Sequence, residues 1–209
     1  MNKTVCIYPK DESTDFLSPL YDFLCEKGCE GWHKDTTENT DEVYAFIKGA
    51  DCIIFLGHGA SDTLYGSPQD GELTVLINET NIQELLYGKR CFILACNSYE
   101  FCENYNLTSF IGFGNMPTGI VDVKIAMEAD TTFPSLEKED IDTYDAALVS
   151  LLIRAFNVAW LTDMEKLYSK IRLYANVEIG ECLINKPCKM FREVADLLQD
   201  FKNDCTYCP

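Results

Sequence analysis

Apolar residues along this chain alternate between short continuous runs and longer stretches with helical spacing. Four runs are almost wholly apolar and indicate buried strands, over Thr4–Pro9, Cys52–Leu56, 91–95 and 109–113. Residues 73–77 are a further strand candidate. Strands that are apolar on both faces are typical of a mostly parallel sheet covered by helices on each side.

Helical spacing fills the intervals between these runs. Ser18-Pro19 is a helix start signal and Gly28 an end signal, and Asn39 to Glu42 resembles a capping box. Residues 60–72 and 114–140 show no steady period and are predicted as loop or irregular structure. The predicted helices cover residues 18–28, 39–50, 81–88, 141–159, 162–174 and 190–201. The alternation predicts an α/β fold, namely a three-layer α/β/α sandwich with a mostly parallel central sheet.

The chain length fits one domain. The sequence has 209 residues, 47% of them hydrophobic, which is enough for a sizeable core. It contains no internal repeat and no low-complexity linker. We therefore predict a single domain over residues 1–209, in which residues 176–209 form a C-terminal helical extension.

Charge narrows the classes of partner. Against 34 Asp and Glu stand 17 Lys and Arg, so the formal net charge is −17. This field repels nucleic acid and anionic membrane surfaces and attracts a basic partner. No apolar run is long enough to span a bilayer, and Pro9, Lys10 and Asp11 interrupt any signal-peptide core at the N-terminus. We expect a cytoplasmic protein.

The eleven cysteines do not form a recognisable disulfide framework. Several, including Cys6, Cys52 and Cys91, lie in strand runs, where a reduced thiol acts as a small hydrophobe. Cys205 and Cys208 supply only half of the four ligands that a structural zinc site requires. We expect no metal and no cofactor, and the role of these two cysteines stays open.

Two of the predicted strands end in residues that could do chemistry together. His58 follows CIIFLG, and Cys96 follows CFILA. If the strands are parallel neighbours, both side chains emerge at the carboxyl edge of the sheet, where functional residues of such folds gather. A thiol beside an imidazole makes a nucleophile–base pair. His33, the other histidine of the sequence, lies in a polar segment.

The segments GHGASD and FILACNS resemble the caspase-like (clan CD) cysteine peptidases, and most of all the CHAT domains among them. In that family one hydrophobic strand leads into His-Gly and a later one into Ala-Cys-x-Ser. SFIGFG and TYDAALVSLLIRAF are similar to the strand and helix that follow. The resemblance covers roughly residues 4–175. Caspases proper carry Gln-Ala-Cys at the nucleophile, whereas this chain has Leu94-Ala95-Cys96.

The resemblance implies a role for several residues. Cys96 would be the nucleophile, His58 the general acid and base, and the backbone N–H groups of Gly59 and Cys96 the oxyanion hole. It implies no fixed third carboxylate. It places the pocket for P1, the residue before the scissile bond, among Asp11, Glu12, Asp15, Leu94, Asn115 and Asp122. With no arginine among them, electrostatics favours a basic P1 residue, while Leu94 leaves an apolar pocket open.

We therefore expect a cysteine endopeptidase that cleaves a protein or peptide through an acyl-thioester intermediate. An activating or regulatory protein would act in trans, because the chain has no room for a sensing module. Prokaryotic defence or stress response is implied by the resemblance alone. Two alternatives stay open. One is a catalytically silent caspase-like scaffold that binds a basic protein partner. The other is a flavodoxin-like nucleotide-binding domain, although the acidic PKDESTD after the first strand would repel phosphate.

Overall fold

The protein is described here by a computed structural model over residues 3–34, 40–69, 72–117 and 135–209. Its strands are β1 (Thr4–Pro9), β2 (Glu30–Lys34), β3 (Cys52–Leu56), β4 (Leu64–Gln69), β5 (Glu72–Ile77), β6 (Arg90–Leu94), β7 (Phe110–Gly112) and β8 (Thr206–Cys208). A 3₁₀ turn covers Asp15–Leu17. The α-helices are α1 (Ser18–Glu26), α2 (Thr40–Lys48), α3 (Ile82–Leu86), α4 (Ser98–Asn104), α5 (Lys138–Val158), α6 (Met164–Asn185) and α7 (Phe191–Asp204).

Six strands form one central sheet in the order β2-β1-β3-β6-β7-β8. The first five are parallel, and β8 is antiparallel to β7. The strands β4 and β5 form a separate antiparallel hairpin. The prediction of an α/β fold with a mostly parallel central sheet is therefore confirmed.

Alternate side chains of the central strands enter two apolar cores, one on each face of the sheet. Tyr8, Leu56 and Leu94 pack with residues of α1, α5, α6 and α7. Ile7 and Phe55, on the opposite face, pack with residues of α2, α3 and α4. This arrangement gives three layers, and it explains why the central strands are almost wholly apolar: both of their faces are buried.

Several elements differ from the sequence-based expectation. Residues 64–69, which the sequence pattern predicts as loop, form β4, whose pairing with β5 is irregular and accommodates Pro68. The edge strands β2 and β8 also form without a marked apolar run. An edge strand pairs through its backbone on one side only and stays partly exposed, so it does not need a continuous apolar run. The hydrophobic pattern is therefore a weak predictor of edge strands.

The last residues of the chain complete the sheet. Residues 176–185 continue α6, and α7 packs beside it. Phe201 of α7 stacks on Phe113, with ring centroids 4.8 Å apart, and β8 pairs with β7 through Tyr207 opposite Ile111. The segment predicted as a C-terminal helical extension thus contributes both core side chains and the sixth strand.

In the part of the chain that the structure describes, no helix combines the length and the apolarity that crossing a bilayer would require.

Candidate active site

The structure brings His58 and Cys96 to one cleft. The strands β3 and β6 are parallel neighbours in which Leu56 lies opposite Leu94, and each functional residue comes two positions later. Both side chains line a cleft at the carboxyl edge of the sheet, which we call the strand-end cleft. Its other lining residues are Thr14, Phe16, Leu17, Gly57, Leu94, Met116 and Leu148.

The imidazole of His58 is held by Asp11 and Ser13. Its Nε2 lies 2.7 Å from Asp11 Oδ2 and 3.0 Å from Ser13 Oγ. A carboxylate can only accept a hydrogen bond, so Nε2 carries a proton and donates it to Asp11. In the neutral ring this leaves Nδ1 as the basic nitrogen. The Asp11 carboxylate thus fixes the tautomer of His58 and leaves Nδ1 free to accept a proton.

Asp11 is ionised at neutral pH. Burial alone would raise the pKa of its carboxyl, but hydrogen bonds from His58, Ser13 and the Thr14 backbone, together with the His58 charge, outweigh burial. The net result holds the pKa of Asp11 well below its ordinary value. With only 13% of its side chain exposed, this carboxylate has little water to screen it from the imidazole.

A local turn fixes the position of the Asp11 carboxylate. Asp11 Oδ1 accepts hydrogen bonds from Thr14 N at 2.9 Å and from Ser13 Oγ at 2.8 Å. The Thr14 carbonyl in turn accepts a 2.7 Å hydrogen bond from the hydroxyl of Tyr8 in β1. Burial raises the pKa of Tyr8 to about 12, so this hydroxyl remains a donor at neutral pH. The residues after β1 are thus tied to the sheet.

Cys96 lies in a sharp turn between β6 and α4. Asn97 has a φ of 54°, a left-handed conformation that asparagine tolerates better than most residues, and Ser98 begins α4. The Cys96 thiol donates to the Met116 carbonyl oxygen at 3.3 Å and accepts from the Met116 N–H at 3.4 Å. The thiol is therefore partly buried and held by the backbone that follows β7.

Ser98, the serine of the Ala-Cys-x-Ser motif, has a structural role. Its hydroxyl, fully buried, donates to the Ile93 carbonyl at 2.7 Å and accepts from the Phe113 N–H at 2.9 Å. It joins the end of β6 to the residue after β7, so it fixes the turn that carries Cys96.

Replacing Ser98 by alanine should destabilise the fold by roughly 1–3 kcal/mol, because the Phe113 N–H is left buried without its acceptor. Urea unfolding followed by circular dichroism measures this change. Ser169→Ala is the matched control, since that exposed hydroxyl bonds only a carbonyl of its own helix. Equal stability of the two variants would mean that Ser98 does not fix the turn.

Gly59 lies directly against the Cys96 turn. A Cβ added to it would come within 2.9 Å of the Cys96 carbonyl oxygen and of Ala95 Cβ, closer than real Cβ contacts. Hydrogen bonds on either side of Gly59, from Tyr65 N to the His58 carbonyl and from Ala60 N to the Thr63 carbonyl, hold this segment. The structure thus brings together the two backbone segments of the predicted oxyanion hole.

The predicted substrate-binding residues are dispersed. Leu94 lines the strand-end cleft, whereas Asp11 lies at His58 and is not part of the lining. Asp15 is exposed and forms an ion pair with Lys10 at 3.2 Å. Glu12 and Asn115 are also exposed, and Asp122 lies outside the described residues.

Sequence reasoning missed the orienting role of Asp11. That role depends on β1 being the parallel neighbour of β3, which brings residues just past β1 to the same sheet edge as His58. The sequence pattern does not give this order of strands. Sequence reasoning also missed most of the lining, which comes from the turn before α1, from Met116 and from Leu148 in the middle of α5. These residues have no chemical signature of their own, and only the packing of the elements assembles them.

The described residues hold no group of three or more His, Cys, Asp or Glu side chains that could bind a metal ion. Cys205 is buried, and burial raises the pKa of its thiol to about 12. Cys208 is partly exposed in β8.

The strand-end cleft is thus lined by a thiol and by an imidazole whose tautomer is fixed by a carboxylate. No family model and no curated protein matches this chain. A function must therefore be argued from its own residues and their geometry.

Proposed function

We propose that this protein is a cysteine endopeptidase of the caspase-like, CHAT-domain type. One observation carries the proposal: Cys96 and His58 line the same cleft at neighbouring strand ends, and Asp11 fixes the proton on His58 Nε2. Cys96 would be the nucleophile, His58 the base and Asp11 the group that orients the base, which is how enzymes activate a thiol. The substrate is a protein or peptide, and the reaction needs no cofactor.

The first half of the reaction forms an acyl-enzyme. Nδ1 of His58 accepts the thiol proton of Cys96, and the sulfur attacks the carbonyl carbon of the scissile peptide bond. The imidazolium then gives this proton to the leaving amine as the C–N bond breaks, which leaves a thioester on Cys96. The Asp11 carboxylate stabilises the imidazolium between these two transfers.

The second half regenerates the enzyme. Nδ1 removes a proton from a water molecule, whose oxygen attacks the thioester carbonyl. The C–S bond breaks, the imidazolium returns the proton to the sulfur, and a carboxylic acid leaves. In both halves the carbonyl oxygen becomes negative, and the N–H groups of Gly59 and Cys96 are the proposed donors to it. The close approach of Gly59 to the Cys96 turn supports this assignment.

Activation by a second protein is part of the proposal. The Cys96 thiol hydrogen-bonds the backbone of Met116, so a partner that shifts Met116 would raise the reactivity of the thiol above its level in the isolated protein. The net charge of −17 favours a partner with a basic surface.

The reactivity of Cys96 tests the proposed pair. We expect iodoacetamide at pH 6 to alkylate Cys96 at least about tenfold faster than partly exposed Cys208, because the His58 imidazolium would stabilise the Cys96 thiolate, which is the reactive form. In His58→Ala this advantage should vanish. Site-resolved mass spectrometry across a pH series measures both rates.

Two internal controls sharpen this experiment. His33→Ala removes an exposed histidine of β2 and should leave the Cys96 rate unchanged. Burial raises the pKa of Cys29 and Cys91 to about 12, so these thiols should label slowly in every variant. Labelling of Cys96 at the Cys208 rate, unaffected by His58→Ala, would refute the peptidase and favour the silent scaffold.

A further inference from the structure

The strand-end cleft has an apolar lining. Around His58 and Cys96 it is built mainly by Phe16, Leu17, Leu94, Met116 and Leu148. The hydroxyl of Thr14, which also lines it, is engaged with Asp11. In the described lining, His58 and Cys96 are the only ionisable side chains. Apart from this pair, a charged group entering here would lose its water without meeting an opposite charge in the described lining, which is costly.

The cleft is also narrow. Its free space is about 20 Å³, whereas a single water needs about 10–15 Å³ on the same measure. A methyl group or a slightly larger apolar group therefore fits without rearrangement, but the long side chain of lysine or arginine does not.

Among the described residues, the carboxylates predicted to recognise a basic residue lie outside this cleft. Asp11 is engaged with His58, and Asp15 pairs with Lys10. Both face a separate surface depression, which they line together with Lys10, Glu12 and Pro68. The acidic character of the loop after β1 thus does not extend into the strand-end cleft.

We propose that the strand-end cleft is the P1 pocket and that it selects a small apolar residue such as alanine. This inference rests on the proposed peptidase function and names its substrate class. The acidic residues of the sequence favour a basic P1 residue, whereas Leu94 is compatible with an apolar one. The lining of the cleft favours the apolar residue.

The geometry points to Phe16 as the residue that limits the size of the pocket. Its partly exposed ring lines the strand-end cleft and also an adjacent groove. The other walls of this groove are Pro19, Asp142, Asp145, Ala146, Val149 and Ser150. Removing the ring joins the cleft to this groove, so Phe16→Ala should admit a larger side chain such as leucine.

Peptidyl chloromethyl ketones of one sequence, differing only at P1, test the selectivity. The Cys96 sulfur bonds the ketone methylene as chloride leaves, and mass spectrometry follows the adduct. With alanine at P1, we expect labelling at least about tenfold faster than with leucine, lysine or aspartate, a ratio that pocket fit alone can produce. Fastest labelling by the lysine or aspartate probe would overturn the inference.

The size argument has its own pair of variants. In Phe16→Ala the leucine-to-alanine rate ratio should rise by about tenfold or more. Phe23→Ala is the control, because Phe23 is also a partly buried phenylalanine packed on the same core, but it lies in α1 away from the described lining. An equal ratio in both variants would show that Phe16 does not limit the pocket.

The failure of the inference and the failure of the function give different results. If a charged probe labels Cys96 fastest and His58→Ala abolishes that labelling, the peptidase stands and the P1 assignment falls. If no probe labels Cys96 faster than it labels Cys208, both fall together.

Discussion

Replacing Asp11 by asparagine is expected to lower kcat/KM for a peptide substrate by about 10³- to 10⁴-fold, although the two side chains have the same shape. The carboxylate can only accept, and it keeps the proton of His58 on Nε2. The asparagine amide can donate to Nε2 instead, which moves the ring proton to Nδ1. The nitrogen that should take the Cys96 proton is then already protonated. Asparagine also removes the negative charge that stabilises the imidazolium.

The measurement is hydrolysis of a fluorogenic peptide amide whose P1 residue gives the fastest labelling of Cys96. The pH dependence of Cys96 alkylation is measured on the same samples, because it reports the state of the thiol directly. We expect Asp11→Asn to shift that profile towards the behaviour of an ordinary thiol. Circular dichroism of the same samples must show an unchanged fold for this shift to be assigned to the lost carboxylate.

Asp15→Asn is the matched control for charge. Asp15 lies in the same acidic segment and is exposed in its ion pair with Lys10, so its removal should change kcat/KM by no more than about twofold. Ser13→Ala should fall between the two, since Ser13 bonds both the imidazole and the carboxylate. If Asp11→Asn and Asp15→Asn behave alike, Asp11 does not position His58.

The central strands could be predicted from the sequence because their burial leaves a continuous run of apolar residues. Thr4–Pro9 and Cys52–Leu56 are buried on both faces, and such burial favours apolar side chains at nearly every position. Strand β2, with the sequence EGWHK, is held mainly by backbone pairing with β1, which leaves little trace in the side chains. The order of strands is also absent from the pattern, since it depends on how the helices cross the sheet.

The candidate site could also be predicted only in part, because it depends on the order of the strands. His58 and Cys96 could be found because each closes an apolar strand with a residue of distinctive chemistry. Asp11 was in view only as an acidic residue after the first strand. Its role depends on β1 lying beside β3 and on the turn that directs its carboxylate to Nε2. Sequence reveals which residues can react, but pairing and register decide which of them meet.

Gly59 provides the second large expected effect. Gly59→Ala should lower kcat/KM by about 10²-fold, the cost that a displacement of roughly 1 Å at a reacting centre can carry. The added Cβ would meet the Cys96 carbonyl oxygen and Ala95 Cβ at 2.9 Å, and both belong to the turn that carries the nucleophile. Because neither is the end of a flexible side chain, the backbone segments themselves must separate. The proposed donors then move away from the substrate oxygen, and they move relative to the Cys96 sulfur.

Gly180→Ala separates this effect from the general cost of altering a glycine. Gly180 lies in α6 with nothing within 4 Å of the added Cβ, so alanine should leave kcat/KM unchanged and stabilise the helix by up to about 1 kcal/mol. Thermal unfolding of both variants shows whether Gly59→Ala is still folded at the assay temperature. A folded Gly59→Ala protein that keeps wild-type kcat/KM would mean that catalysis does not require these two segments in contact. The oxyanion hole would then have to be built from other donors.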